Sequence, residues 1–284
     1  MKVKTIKTPA DVNHYAELLK LIKKLSYSRG RWQVFEDFLA MSAISISNQV
    51  DWNQQEKQEA DYMEIVGRYS KEEVQLFPQM FAHLVWALEY HVKTDGPYDV
   101  LGKLFHELDL HNKYNGQFFT PQHICDFMGM ISLQENDLDI AKKGYLTVAE
   151  PCCGSGAMIL GFAKAMTKNN YNYNRQMVVY AKDIDLKCVH MCYLQLSLYG
   201  IPAVISHGNT LLFQTWSTWY TPVYMLDGWP MRAAYDNFTN LIAGDKPRKS
   251  VQSEEKFYFE FDDAPVVVMP PAAMQMNLFE EVAK

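Results

Sequence analysis

Glu150, Cys152, Gly154 and Gly156, within the run Ala149-Glu150-Pro151-Cys152-Cys153-Gly154-Ser155-Gly156-Ala157, are suited to holding a small charged ligand. They separate an apolar segment, residues 145–148, from an apolar-periodic one, residues 158–166. That pattern reads as strand, glycine turn and helix. Such a turn lets backbone approach a ligand closely, because glycine has no side chain and tolerates positive φ. At the strand's end the Glu150 carboxylate can pair with a cationic amino group. A second unit follows: residues 176–181 read as a buried strand ending in Lys182-Asp183-Ile184-Asp185. An acidic residue past the second strand of a nucleotide-binding unit accepts hydrogen bonds from ribose hydroxyls, and Asp183 stands in that place. Residues 202–205 make a third short strand, leading into His207-Gly208-Asn209-Thr210-Leu211. About thirty residues before the glycine turn lies Gly116-Gln117-Phe118-Phe119-Thr120-Pro121. The competing reading is an ordinary α/β domain whose glycines only make tight turns. Four features in this order argue against it.

Taken together, these runs resemble the N-6 adenine DNA methyltransferases, especially the modification subunits of type I restriction systems and their stand-alone phage and plasmid relatives. The family pattern is close to G-Q-F/Y-F-T-P followed by D/E-P-x-C-G-S-G, and both occur here almost intact. The resemblance implies S-adenosylmethionine as cofactor. It implies that Phe119, Thr120 and Pro121 close over the methionine end, and that Glu150, Cys152, Gly154 and Gly156 form the loop beneath it. By the same resemblance Asp183 takes the ribose, Ile184 lies against the adenine ring and Asn209 reads the adenine.

Adenine methylation also needs a side-chain oxygen and a backbone carbonyl to hold a poorly nucleophilic amine, and an aromatic ring to stack the flipped base. The family supplies these as N/D-P-P-Y/F at the end of its fourth strand, and no such tetrapeptide occurs in this chain. Near the expected place stands Asp227-Gly228-Trp229-Pro230, which makes Asp227 the catalytic candidate, although its bland reading is an aromatic-rich packing loop. The other substitute, Val266-Val267-Val268-Met269-Pro270-Pro271-Ala272, has a strand before two prolines but puts methionine and alanine where the acceptor and ring belong. Further strands are expected at residues 220–226, 256–261 and 264–268, and a helix at 231–242. The resulting expectation is an S-adenosylmethionine-dependent DNA methyltransferase of the N-6 adenine type, related to restriction-modification. The alternative is a catalytically inactive cofactor-binding homologue, acting as a subunit or decoy on restriction-modification or sliding-clamp machinery. A third possibility moves methyl transfer to RNA or protein.

The elements that must position these residues begin with helices. Residues 10–25 carry apolar side chains at steps of three and four, residues 32–46 and 55–69 follow, and Ser70-Lys71-Glu72-Glu73 is a capping box opening a helix that runs to residue 91. Residues 100–108 make a fifth. The expected fold is α/β: an all-helical N-terminal domain over residues 1–115, then a Rossmann-like S-adenosylmethionine-dependent methyltransferase domain with an abbreviated sheet over 116–268. A proline-led tail occupies 269–284. Within it Gln275, Leu278 and Phe279 resemble the bacterial sliding-clamp peptide, which would make that clamp a partner; packing of Leu278 and Phe279 on their own domain is the bland reading.

At 284 residues the chain can bury cores for two modest domains. Its net charge of -6 weighs against tight unaided DNA binding, so a local face or a partner subunit is expected to make that contact. Five cysteines, two of them adjacent in the glycine turn, argue for a reducing cytoplasm rather than a disulfide framework. Cys188 and Cys192 lack a histidine pair at zinc spacing, so no metal site is expected. No apolar run reaches the length of a membrane span.

Overall fold

The computed structural model describes residues 12–108, 119–232 and 266–268. Among the described residues, seven helices precede the first strand: α1 (His14–Arg29), α2 (Arg31–Ser47), α3 (Gln55–Val66), α4 (Lys71–Val74), α5 (Leu76–Thr94), α6 (Val100–Glu107) and α7 (Gln122–Lys143). The capping box forms as expected. Ser70 Oγ accepts from the Glu73 N–H at 3.3 Å, and Glu73 Oε2 accepts from the Ser70 N–H at 2.8 Å. The expected helix from Ser70 onward nevertheless breaks after one turn. Pro78 has no N–H to give to the Val74 carbonyl, and its ring crowds that oxygen, so α4 stops and α5 starts afresh.

The sheet contains β1 (Leu146–Glu150), β2 (Met177–Asp183), β3 (Ala203–His207), β4 (Ser217–Tyr220) and β5 (Val266–Val268) in the order β4-β3-β2-β1-β5. All pairings are parallel except β3 with β4. The connections are α8 (Ala157–Lys168), α9 (Tyr173–Gln176) and α10 (Leu186–Leu198), with α11 (Pro222–Leu226) after β4. Every residue of β1 is buried, as a central parallel strand covered on both faces requires. The end of α10 is a Schellman motif: Ile201 N–H reaches the Leu196 carbonyl and Gly200 N–H the Ser197 carbonyl, with Gly200 at φ 71°.

The strand expected at 220–226 is corrected by the structure. Pairing ends at Tyr220, because Pro222 cannot join a ladder and instead takes the first helical position of α11. Thr221 fixes this corner, its Oγ1 donating to the Ile201 carbonyl and accepting from the Ala203 N–H, both at 2.8 Å. β5 falls within the expected 264–268 segment and pairs with β1, Val268 opposite Ala149. The strand expected at 256–261, residues 233–242 of the expected helix, and Gln275, Leu278 and Phe279 lie outside the described residues.

The helical layer and the sheet share one buried cluster, running from Leu18 and Phe38 through Leu101 and Phe105 to Val148, Phe162 and Ile205. Among the described residues this cluster includes side chains from both sides of the expected boundary near residue 115. A smaller cluster of Val178, Tyr224 and Trp229 covers part of the opposite face. α7 and α8 meet backbone to backbone: a Cβ on Gly129 would lie 2.6 Å from the Gly161 carbonyl carbon, and one on Gly161 would run into the Cys125 carbonyl. Beside this crossing, buried Lys164 of α8 pairs with Asp95 at the end of α5 and with Asp126 of α7.

Candidate cofactor site

β1 and β2 end side by side, Glu150 opposite Ala181, and deliver two carboxylates to the same end of the sheet. Glu150 is 3% exposed; its Oε1 accepts the Cys152 N–H at 3.1 Å, while Oε2 is buried without a hydrogen-bond partner among the described residues. Burial pushes its carboxyl up to about 8, with the nearby Asp183 charge adding to the effect against the Cys152 hydrogen bond. Asp183 is also raised by burial. Its Oδ2 accepts the Gly154 N–H at 2.8 Å and its Oδ1 the Asp185 N–H at 2.9 Å. Each oxygen keeps a further lone pair for a ligand hydroxyl.

Between the two carboxylates the turn follows the glycines. Gly154 (φ 53°) and Gly156 (φ 93°) both occupy the left-handed region. A Cβ on Gly154 would lie 3.1 Å from the Phe119 ring, and one on Gly156 would lie 3.2 Å from Cys192 Sγ. Phe119 therefore covers the turn, held edge-on by Phe105 at 5.0 Å and His106 at 5.6 Å. Thr120 and Pro121 lead from it into α7, with the Pro121 carbonyl accepting the Ile124 and Cys125 N–H groups. Cys152 is exposed, whereas Cys153, Cys188 and Cys192 are buried.

The loop after β3 is tied to this cluster, since Thr210 Oγ1 donates to the Pro151 carbonyl at 2.6 Å. Asn209 Oδ1 accepts the Leu212 N–H at 3.0 Å and so shapes its own loop. Ile184 is 59% exposed beside the cluster.

Asp227 is not brought to this site. Because β4 runs antiparallel to β3, the chain after Tyr220 returns to the beginnings of the parallel strands: Thr221 bonds Ala203 at the start of β3, and Trp229 packs on Tyr145 just before β1. The length of β3, about 13 Å at 3.3 Å per residue, separates that end from the loop after His207. Asp227 sits exposed at the C-cap of α11. Of the tryptophans nearby, Trp219 is buried against His190 and Tyr193, and Trp229 is at the far end, so neither fills the space at the glycine turn.

One group that supports the turn went unassigned in the sequence. Asp99, the N-cap of α6, is buried: Oδ1 accepts from the Gly102 N–H and Gln195 Nε2, each at 2.8 Å, and Oδ2 accepts from Ser155 Oγ at 2.6 Å. Gln195 also donates to the Ser155 carbonyl and accepts the Leu101 N–H. A Cβ on Gly102 would lie 2.8 Å from Ser155 Oγ, so the close approach needs glycine there. In the sequence, Asp99 heads the run 99–105, which resembles the family's helical region that docks on the cofactor domain, and by itself reads as an N-cap.

Residues 98–247 match the family model for N-6 DNA methylase. The methylase subunit of the type I restriction enzyme MpnII of Mycoplasma pneumoniae is 24% identical over 149 residues, covering 51% of this chain and 25% of that protein. The type I restriction-modification methyltransferase subunit of Streptococcus thermophilus superposes with a TM-score of 0.38 at 16% identity, over 72% of this chain and 40% of that one. The chain thus spans about a quarter of the length of the curated relative it matches.

Proposed function

The chain belongs to the N-6 DNA methylase family, and from that premise we propose that its glycine turn binds S-adenosylmethionine for methylation of adenine in DNA. The observation that carries this reading is the unpartnered, buried Glu150 Oε2 at the end of β1, beside Asp183 at the end of β2. A buried carboxyl that keeps its proton for want of a partner suits the cationic amino group of a methionine moiety. Asp183, already oriented by two backbone N–H groups, suits the two hydroxyls of a ribose. Bound there, the cofactor would supply an electrophilic methyl group. Phe119 would shield the turn from water, and Asn209 and Ile184 would lie toward the adenine. Contact with DNA, through a local face or a partner subunit, is part of the same proposal. Among the described residues no helix is long and apolar enough to cross a membrane.

A second reading rests on β5. In a doubly wound sheet the ligand crevice opens where strand order reverses, here between β1 and β5. The residues that follow β5 in the chain are Met269-Pro270-Pro271-Ala272. Methionine offers no oxygen to an exocyclic amine and alanine no ring to a flipped base. This favours a family member that binds cofactor while a partner subunit completes the base-holding half, or one that has lost transfer. Calorimetric titration with S-adenosylmethionine, followed on the same sample by transfer of a tritiated methyl group to adenine-containing DNA, separates these outcomes. Binding with transfer supports the first reading and binding without it the second. Absence of binding would refute the assignment of Glu150, Gly154 and Asp183.

A further inference from the structure

The first helix gathers basic side chains on its solvent face, in a chain whose net charge is -6. α1 buries Leu18, Ile22 and Leu25. At about 100° per residue, Lys20, Lys23, Lys24 and Tyr27 fall within an arc of about 100° on the opposite side. All four are exposed, the Tyr27 ring to 93%. The one carboxylate in α1, Glu17, pairs with Lys20 at 3.2 Å on the exposed surface, a contact of little strength. Arg29 does not belong to the stripe, because its guanidinium is taken up by Glu73 and the Arg68 carbonyl.

Where the stripe leads distinguishes it from an ordinary solvated face. Only Gly30 separates α1 from α2. Trp32 in the first turn of α2 stands edge-on to Phe105, with centroids 6.0 Å apart, and Lys187 Nζ lies 4.7 Å over its ring. Phe105 holds Phe119 against the glycine turn, and Lys187 opens α10 just past Asp183 and Ile184. The stripe therefore ends beside the cofactor site, which a methyl acceptor has to reach. From Lys20 to Tyr27 the helix rises about 10 Å, or three base-pair steps of about 3.4 Å. Lysine and tyrosine side chains both donate to phosphate oxygens.

We propose that the α1 face of Lys20, Lys23, Lys24 and Tyr27 docks the phosphate backbone of a DNA duplex and leads it to the cofactor site. The inference rests on reading the glycine turn as the methyl-donor site for DNA. The test is fluorescence anisotropy of a labelled, adenine-containing duplex, titrated with the full chain over a range of salt concentrations. Lys20→Gln, Lys23→Gln and Lys24→Gln combined should lower the slope of log affinity against log salt by about 2.7. Binding should weaken on the order of a hundredfold at about 0.1 M salt. Tyr27→Ala alone should weaken it about fivefold. A control combining Lys57→Gln, Lys71→Gln and Lys168→Gln removes the same charge from exposed positions on α3, α4 and α8, and should change the slope by less than about 1. The proposal is overturned if wild type does not bind the duplex at about 50 mM salt, if the α1 triple variant keeps the wild-type slope, or if the control loses as much. Tighter binding to single-stranded RNA of the same length would overturn it too. Cofactor binding is measured separately by calorimetry: its absence would refute the glycine-turn reading, while the DNA titration still decides the role of α1.

Discussion

Under the proposed assignment of Glu150 to the cofactor's amino group, a carboxyl held near 8 by burial makes cofactor affinity a function of pH. Glu150 must ionise to receive an amino cation, and in the free protein about 1% of it is ionised at pH 6, about 9% at pH 7 and about half at pH 8. Affinity for S-adenosylmethionine should therefore rise about tenfold from pH 6 to 7 and about threefold more to pH 8. It should level off there, because an α-amino group itself loses its proton at about 8. Between pH 6 and 7 each binding event should release close to one proton, read by calorimetry as a heat that varies with the ionisation enthalpy of the buffer. Glu150→Gln should flatten both signals. The free protein carries the matching signature. Because the folded pKa lies above the ordinary carboxyl value, the contribution of Glu150 to stability is complete below about 4.5 and is lost as pH rises toward 8, on the order of a few kcal/mol. A wild-type affinity that is flat between pH 6 and 7.5, or a Glu150→Gln variant with the same slope, would refute this reasoning.

Three further outcomes follow from the geometry. Asp99→Ala leaves Ser155, Gln195 and the Gly102 N–H without their acceptor, and urea titration should show a loss of about 3 kcal/mol. Gly161→Ala drives a methyl into the Cys125 carbonyl of α7 and should cost about 2 kcal/mol or more by the same measurement. Asp227→Ala, at the opposite end of the sheet, should stay within about 0.5 kcal/mol of wild type and leave cofactor affinity unchanged; a tenfold weakening would restore it as a site residue.

Most helices, though not the long α7, and the first three strands were legible because their apolar residues recur at clear periods and end at strong signals, such as Gly200 after α10. The positions of Glu150, Gly154 and Asp183 in the fold were legible for a related reason: each stands at a strand end or a turn, where side-chain direction follows from the element. Asp227 was misplaced because distance along the chain does not report direction. A four-residue antiparallel strand was enough to carry it to the wrong end of the sheet. The break before α5 depended on the single residue Pro78, set inside an otherwise continuous apolar pattern. Asp99 was hidden because a helix cap and the centre of a buried network are the same residue type at the same position, and only its partners from the glycine turn and α10 distinguish them. The shared core was hidden likewise, since contacts between distant segments leave no local period.

The Asp99 network also bears on how such a unit can be inherited. Ser155 in the turn, Gln195 behind it and the start of α6 share one buried carboxylate, so the turn is finished by a residue that precedes Gly116 in the chain. A recombination that joined new helices to the chain just before that glycine would bring in the glycines and strands intact, yet strip the turn of its central acceptor. Viable exchanges between relatives should therefore have their seams ahead of Asp99, and a catalogue of natural fusions could be read for that boundary.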